Sequence, residues 1–139
     1  MALIETQPDL IERFLHDAAH YPGGHAAGVV RPRTVDDVSE ILRQAAARKG
    51  PPFWHVLTVG AQSSLTGGAT PLGEVVLSTE RLTALHLEGD SVRAGAGVTL
   101  QAVHDALAAE GRWFPPMPTY LGATAGGVVA TCAAGAATF

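Results

Sequence analysis

Apolar and polar positions along the chain switch between a helical period and an alternating or continuous one, and the switch points lay out a succession of elements. Leu10, Ile11, Phe14, Leu15 and Ala18 share one helical face, with Glu12, Arg13 and Asp17 opposite, which predicts an amphipathic lead-in helix over residues 8–21. Pro22-Gly23-Gly24 breaks it, and Gly28-Val29-Val30-Arg31-Pro32 reads as a short strand ended by proline. A second helix opens at Thr34, which stands in capping-box spacing with Asp37, while Asp36 and Asp37 suit the positive end of the helix. Its expected buried stripe is Val35, Val38, Ile41, Leu42 and Ala45. Arg43, Arg48 and Lys49 complement the other end, Gly50 offers a left-handed cap, and Pro51-Pro52 stops the run.

The strand Val56–Val59 follows, so the order is β-α-β, which favours parallel pairing and puts the next loop at the strand's carboxyl end. Val75–Ser78 reads as a buried strand, and residues 84–88 and 91–95 as a hairpin around Gly89-Asp90. Thr99 caps a third helix with Leu100, Val103 and Leu107 facing inward and Gly111 ending it. The prolines of Trp113-Phe114-Pro115-Pro116-Met117-Pro118 exclude regular helix there.

Composition narrows the class. The 139 residues, 47% hydrophobic and 16% charged, fit one globular α/β domain with material for a single core. The net charge is −4, and Lys49 is the lone lysine beside eight arginines, so a basic stripe for nucleic acid is absent. Cys132 is the single cysteine, which excludes an internal disulfide and fits a reducing, cytoplasmic setting. Met1 to Glu5 lacks the basic and long apolar regions of a leader. Residues 114–139 carry no charge, but Gly, Ala, Pro and Thr dominate them, so a membrane span is not expected. The apolar ending reads as a domain cut through its middle.

Two uncharged, small-residue segments carry the candidate chemistry. The first is Val59-Gly60-Ala61-Gln62-Ser63-Ser64-Leu65-Thr66-Gly67-Gly68-Ala69, where small side chains let backbone N–H groups converge on an anion without a cationic side chain. The second is residues 121–135. Together they suggest one large, phosphate-bearing ligand held between them. An ordinary Gly/Ser-rich turn is the plain alternative for the first segment, and a packed Ala/Gly helix for the second. A nucleotide P-loop is disfavoured because Gly67-Gly68 is followed by Ala69-Thr70 and not by Lys-Ser/Thr. His16, His20 and His25 have spacing that zinc could use, but no cysteine or carboxylate motif joins them, so exposed histidines and no metal are expected. His55, His86 and His104 are isolated and read as structural or surface residues. Cys132 is expected as a small core residue, and Trp113 and Phe114 as packing at the domain edge.

The same residues, in order, resemble the flavin domain of the vanillyl-alcohol oxidase and p-cresol methylhydroxylase family, particularly its glycolate oxidase and D-lactate dehydrogenase branch. The resemblance runs through Val30-Arg31-Pro32, Gly60 to Gly68, Val75-Val76-Leu77, Ala96-Gly97-Val98, Phe114-Pro115-Pro116-Met117-Pro118 and Ala123 to Gly135. It implies a lead-in at residues 1–28 and, at 29–139, the first part of a two-subdomain FAD-binding fold with a small mixed or parallel sheet flanked by helices. It implies that Val59, Gly60, Ala61, Gln62, Ser63, Ser64 and Thr66 hold the FAD pyrophosphate. It places Pro118, Thr119, Leu121, Gly122, Ala123 and Thr124 along the flavin and ribityl chain, with Gly126, Gly127, Thr131, Cys132, Ala133 and Ala134 nearby. Ser63 stands where covalent-flavin relatives have histidine, which implies non-covalent FAD. Gln62 replaces a customary glycine, its side chain reaching either a phosphate or a neighbouring carbonyl, and Cys132 replaces asparagine.

The implied reaction of the parent is hydride transfer from a 2-hydroxy acid to FAD, a base taking the hydroxyl proton, and no residue of this chain is assigned as that base. A homo-oligomer or a partner chain supplying the rest of the fold stays open. The competing reading is a non-catalytic flavin-domain fragment or subunit, or a degenerate relative without flavin.

Overall fold

A computed structural model describes residues 4–47 and 55–137. Its elements run α1 (Pro8–Glu12), β1 (Gly28–Val30), α2 (Val35–Ala46), β2 (Val56–Val59), β3 (Val75–Ser78), β4 (Leu85–Glu88), β5 (Ser91–Ala94), α3 (Leu100–Ala109) and α4 (Ala125–Thr131). The first three strands form one parallel sheet in the order β1-β3-β2, with Val29 opposite Val76 and Leu57 opposite the same Val76. The β-α-β order thus yields parallel strands as expected, but β3 inserts between the two that the helix connects. Glu5 extends the sheet beyond β1 through paired backbone bonds with Val29, 2.8 and 2.9 Å long.

Alternation along the strands divides the core into two layers. Val29, Val59 and Val76 point to one face and pack with Phe14, while Val30, Val75 and Leu77 point to the other and pack with Ile41 of α2. All four residues of β3 are buried, which is what a central parallel strand covered on both sides requires. The hairpin β4–β5 pairs antiparallel and joins α3 around a third cluster of Val98, Val103 and Leu107. The inward stripe expected of α3 is therefore the observed one, with Thr99 accepting from the Ala102 N–H at its start.

Several expectations change on contact with the structure. The lead-in helix stops at Glu12 instead of running to residue 21. Downstream of it the backbone N–H of Ala18 donates to Gln62 and that of Asp17 to Thr70 Oγ1, bonds that a continuing helix would have kept for itself. Helix α2 has its capping box, Asp37 N–H to Thr34 Oγ1 and the Asp37 carboxylate back to the Thr34 N–H. Its stripe is narrower than expected: Ile41 is buried and packs on Val30, Val75 and Leu77, Val38 and Ala45 are half-buried, and Val35 and Leu42 are exposed. The Arg48, Lys49, Gly50 and Pro51-Pro52 signals lie outside the described residues. Trp113 and Phe114, expected to pack at the edge, are exposed at 68% and 42%. No helix among the described residues is long and apolar enough to cross a membrane.

Candidate functional site

Because β1, β2 and β3 are parallel, their carboxyl ends share one rim, and the turn after Val59 leaves from it. Val59 itself is a core side chain, and its carbonyl accepts from both the N–H and the Oγ1 of Thr79, so it anchors the turn. Beyond it the chain turns sharply at Gln62, one of three non-glycine residues of the described chain with positive φ, here 50°. Holding a residue with a Cβ in the left-handed region costs about 1–2 kcal/mol.

The Gln62 side chain shows what offsets that cost. Its Nε2 donates to the Phe14 carbonyl at 2.9 Å and to the Ala69 carbonyl at 2.8 Å, bonds worth roughly 0.5–1.5 kcal/mol each. The amide thus reaches back into the protein and spans the mouth of the loop, so of the two roles open to it the neighbouring-carbonyl one is seen. Asp17, 3% exposed, closes the other side: its Oδ1 accepts from Ala19 at 3.0 Å and its Oδ2 from Ala69 at 3.4 Å. The sequence pattern placed Asp17 on a solvent face and missed this. The available signal is that an Asp side chain favours a turn two residues on, with the breaker Pro22-Gly23-Gly24 close behind.

With the Gln62 side chain braced inward, Ala61, Ser63 and Leu65 stand exposed around it. Among the described residues, the N–H groups of Ala61, Gln62, Ser63, Ser64 and Leu65 donate to no protein acceptor. The Ser64 and Thr66 hydroxyls are 2.8 Å apart at the loop's surface, and Thr66 Oγ1 also accepts from Gly68. Successive uncommitted donors without a carboxylate among them suit a phosphate group.

The second segment reaches this turn through one close approach. A Cβ on Gly60 would sit far closer than 3.0 Å to Thr124 Oγ1, so glycine is what lets the Thr124 side chain lie against the backbone of the turn. Thr124 is the buried N-cap of α4, its hydroxyl accepting from the Gly127 N–H at 3.3 Å. Four backbone bonds hang α4 on the start of α3: Leu100 to the Ala123 carbonyl, Gln101 to Leu121, Ala125 to Val98 and Gly126 to Ala96. Gly126 lies against Ala96, whose Cβ would be 2.7 Å from a Cβ added there.

The structure therefore brings Gly60 and Thr124 together, with Leu121 to Ala123 tied to α3 just behind. Gly122 lies under the Tyr120 ring. Pro118 is half-buried, Thr119 is exposed, and Gly127 is half-buried in the first turn of α4. Thr131, Cys132, Ala133 and Ala134 are exposed at the far end of α4, where Thr131 Oγ1 donates to the Gly127 carbonyl. Cys132 is a correction: instead of a core residue it is an exposed C-cap at φ 50°, the left-handed position that ends the helix. No residue of α4 is buried, and Val129 is 78% exposed. The segment forms the Ala/Gly helix of the plain reading, but not a packed one.

Charge is kept elsewhere. At the carboxyl ends of β1 and β3, a cleft of about 250 Å³ is lined by Glu5, Arg31, Arg33, Asp37 and Arg81 among others. Arg31 donates to Glu5 at 2.6 Å and to Glu80 at 3.2 Å. These bonds, the Glu5 one foremost, raise the Arg31 pKa and lower that of Glu5. Arg33 and Arg81 line the same cleft with Glu5 and Asp37 beside them, a surface of mixed charge, whereas no charged side chain lies within the turn. Among the described residues no group of three or more His, Cys, Asp or Glu is arranged to hold a metal; His16, His20 and His25 are exposed, with His25 Nδ1 2.9 Å from the Gly23 carbonyl.

Comparison with known proteins gives this geometry a context. A family model described as an FAD binding domain matches residues 26–139. The chain is 43% identical over 110 residues to a D-lactate dehydrogenase of Archaeoglobus fulgidus, covering 77% of the chain and 24% of that protein. It is 29% identical over 137 residues to a D-2-hydroxyglutarate dehydrogenase of Xanthomonas citri pv. viticola, covering 95% of the chain and 28% of the relative. The chain thus spans about a quarter of the length of these relatives. Among solved structures, cholesterol oxidase from Brevibacterium sterolicum superposes with a TM-score of 0.71 at 19% identity over 98% of the chain and 28% of that protein. An alkyldihydroxyacetonephosphate synthase gives 0.65 at 18% identity over 77% and 22%. At these identities the two structures speak for the fold.

Proposed function

The chain belongs to the FAD binding domain family, and on that footing we propose that it is the first part of the flavin domain of an enzyme that oxidises a 2-hydroxy acid, D-lactate or a close analogue, to the 2-oxo acid. Bound FAD supplies the hydride acceptor. This chain contributes the grip: the amides of Ala61 to Leu65 and the hydroxyls of Ser64 and Thr66 hold the pyrophosphate, and the segment from Leu121 to Gly127 lies beside the ribityl chain and ring. The observation that carries the proposal is the passage of Gly60 against Thr124, which joins the donor-rich turn to the uncharged segment as one surface. Ser63 offers no ring nitrogen for a covalent flavin bond at this position, which supports non-covalent FAD. Trp113, Tyr120 and Val129, exposed here, are covered by the remainder of the parent fold, supplied in cis or by a partner chain. A cytoplasmic location belongs to the same proposal and rests on the single free thiol.

Spectroscopy of the full-length protein tests it. The purified protein is expected to show flavin absorbance in the visible, to release all of it on denaturation, and to bleach anaerobically with D-lactate or D-2-hydroxyglutarate. Protein that stays colourless after FAD is added would establish the degenerate reading, and yellow protein that no 2-hydroxy acid reduces would remove the substrate assignment alone.

A further inference from the structure

The segment between α1 and β1 buries a polar brace behind the candidate turn, and among the described residues the backbone N–H groups of Ala61 to Leu65 take no part in it. Gln62 Nε2 bridges two carbonyls 55 positions apart in sequence, Phe14 and Ala69. The Gln62 carbonyl accepts from Ala18 at 2.9 Å, the Asp17 N–H donates to Thr70 Oγ1, and the Asp17 carboxylate receives Ala69. Gln62, near the start of the loop, and Ala69-Thr70, at its end, are thereby tied to one short stretch, residues 14–18. A glycine would suit φ 50° better than Gln62 does, so the side chain is there for what it bonds.

We propose that Asp17 and Gln62 are positioning residues that pre-form the pyrophosphate-binding turn, holding its N–H groups outward so that the ligand does not have to order the loop. The inference rests on the flavin reading above, and adds Asp17, outside the turn, and the side chain of Gln62 to the determinants of affinity. Pre-organisation of this kind raises affinity by removing an ordering cost that binding would otherwise carry.

Gln62→Gly is the sharp variant, because glycine accepts the local backbone and the protein stays folded, and Asp17→Asn is the conservative companion. ADP and FAD are titrated calorimetrically into the full-length apoprotein, with backbone NMR order parameters of residues 61–65 measured without ligand. Order in the turn should fall in both variants. Affinity for ADP should fall roughly tenfold in Gln62→Gly, and affinity for FAD by the same factor, since ring contacts are untouched. A general structural role would instead lower the melting temperature and weaken FAD more than ADP. Unchanged ADP affinity with unchanged order parameters in Gln62→Gly would overturn the proposal while leaving the flavin reading standing. Wild-type protein that binds neither ADP nor FAD would end both.

Discussion

Gly60→Ala is the smallest change that tests whether the turn and α4 form one surface. The added Cβ would overlap Thr124 Oγ1 while standing 3.5 Å from Thr124 Cβ, an ordinary contact. Two responses are available to the protein. Thr124 can rotate its hydroxyl away, which gives up the bond from Gly127 and with it the cap of α4, a loss of about 1 kcal/mol. Otherwise the turn shifts, and overpacking of this kind costs about 1–3 kcal/mol. A destabilisation of about 2 kcal/mol follows, larger than the ~0.5 kcal/mol typical of a surface substitution. Removing the hydroxyl should erase most of it. Thr124→Ala alone should cost about 1 kcal/mol, and in that background Gly60→Ala should cost little, giving a coupling energy of about 2 kcal/mol between the two sites. Urea unfolding of the wild type, both single variants and the double variant completes the cycle. Additive effects, or a neutral Gly60→Ala, would refute the claim that these two positions are packed against each other.

Other predictions rest on single contacts. Gly126→Ala should lower stability by about 1–3 kcal/mol in urea unfolding, because the new Cβ meets Ala96 Cβ at 2.7 Å and Ala96 is itself held by the bond from Gly126. Cys132→Gly should raise stability by up to about 1 kcal/mol and abolish thiol labelling of the folded protein, since the residue is exposed and left-handed. Glu5 has its pKa lowered below the ordinary 4.5 by the bond from Arg31, so its contribution is fully present above that value and is lost as pH falls through the lower, folded one. The melting temperature of Glu5→Gln should accordingly lie below wild type at pH 7 and converge on it toward pH 3; parallel curves would contradict the assignment.

How far the chain could be read in advance depended on whether the signal was local. The capping box at Thr34, the buried run of β3, the hairpin around Gly89-Asp90 and the stripe of α3 all follow from neighbouring residues, and all stand in the structure. Glycine content located both halves of the candidate surface, since close backbone approach leaves few alternatives to glycine. What was not legible depends on tertiary partners. Helical spacing in residues 8–21 is real, yet Ala18 and Asp17 give their N–H groups to the turn, and no local pattern announces that competition. The insertion of β3 between β1 and β2 is likewise a long-range choice. Cys132 was misplaced because a cysteine is an unusual helix-ending residue, and composition alone favours the core for it.

The central claim is that backbone amides of the turn hold a dinucleotide's phosphates. Amide chemical-shift mapping of the isotopically labelled full-length apoprotein during an ADP titration tests it most directly. The largest shifts are expected on Ala61 to Leu65, with a smaller group at Thr124 to Gly127. Saturable ADP binding whose shifts centre elsewhere, with the turn unmoved, would contradict it.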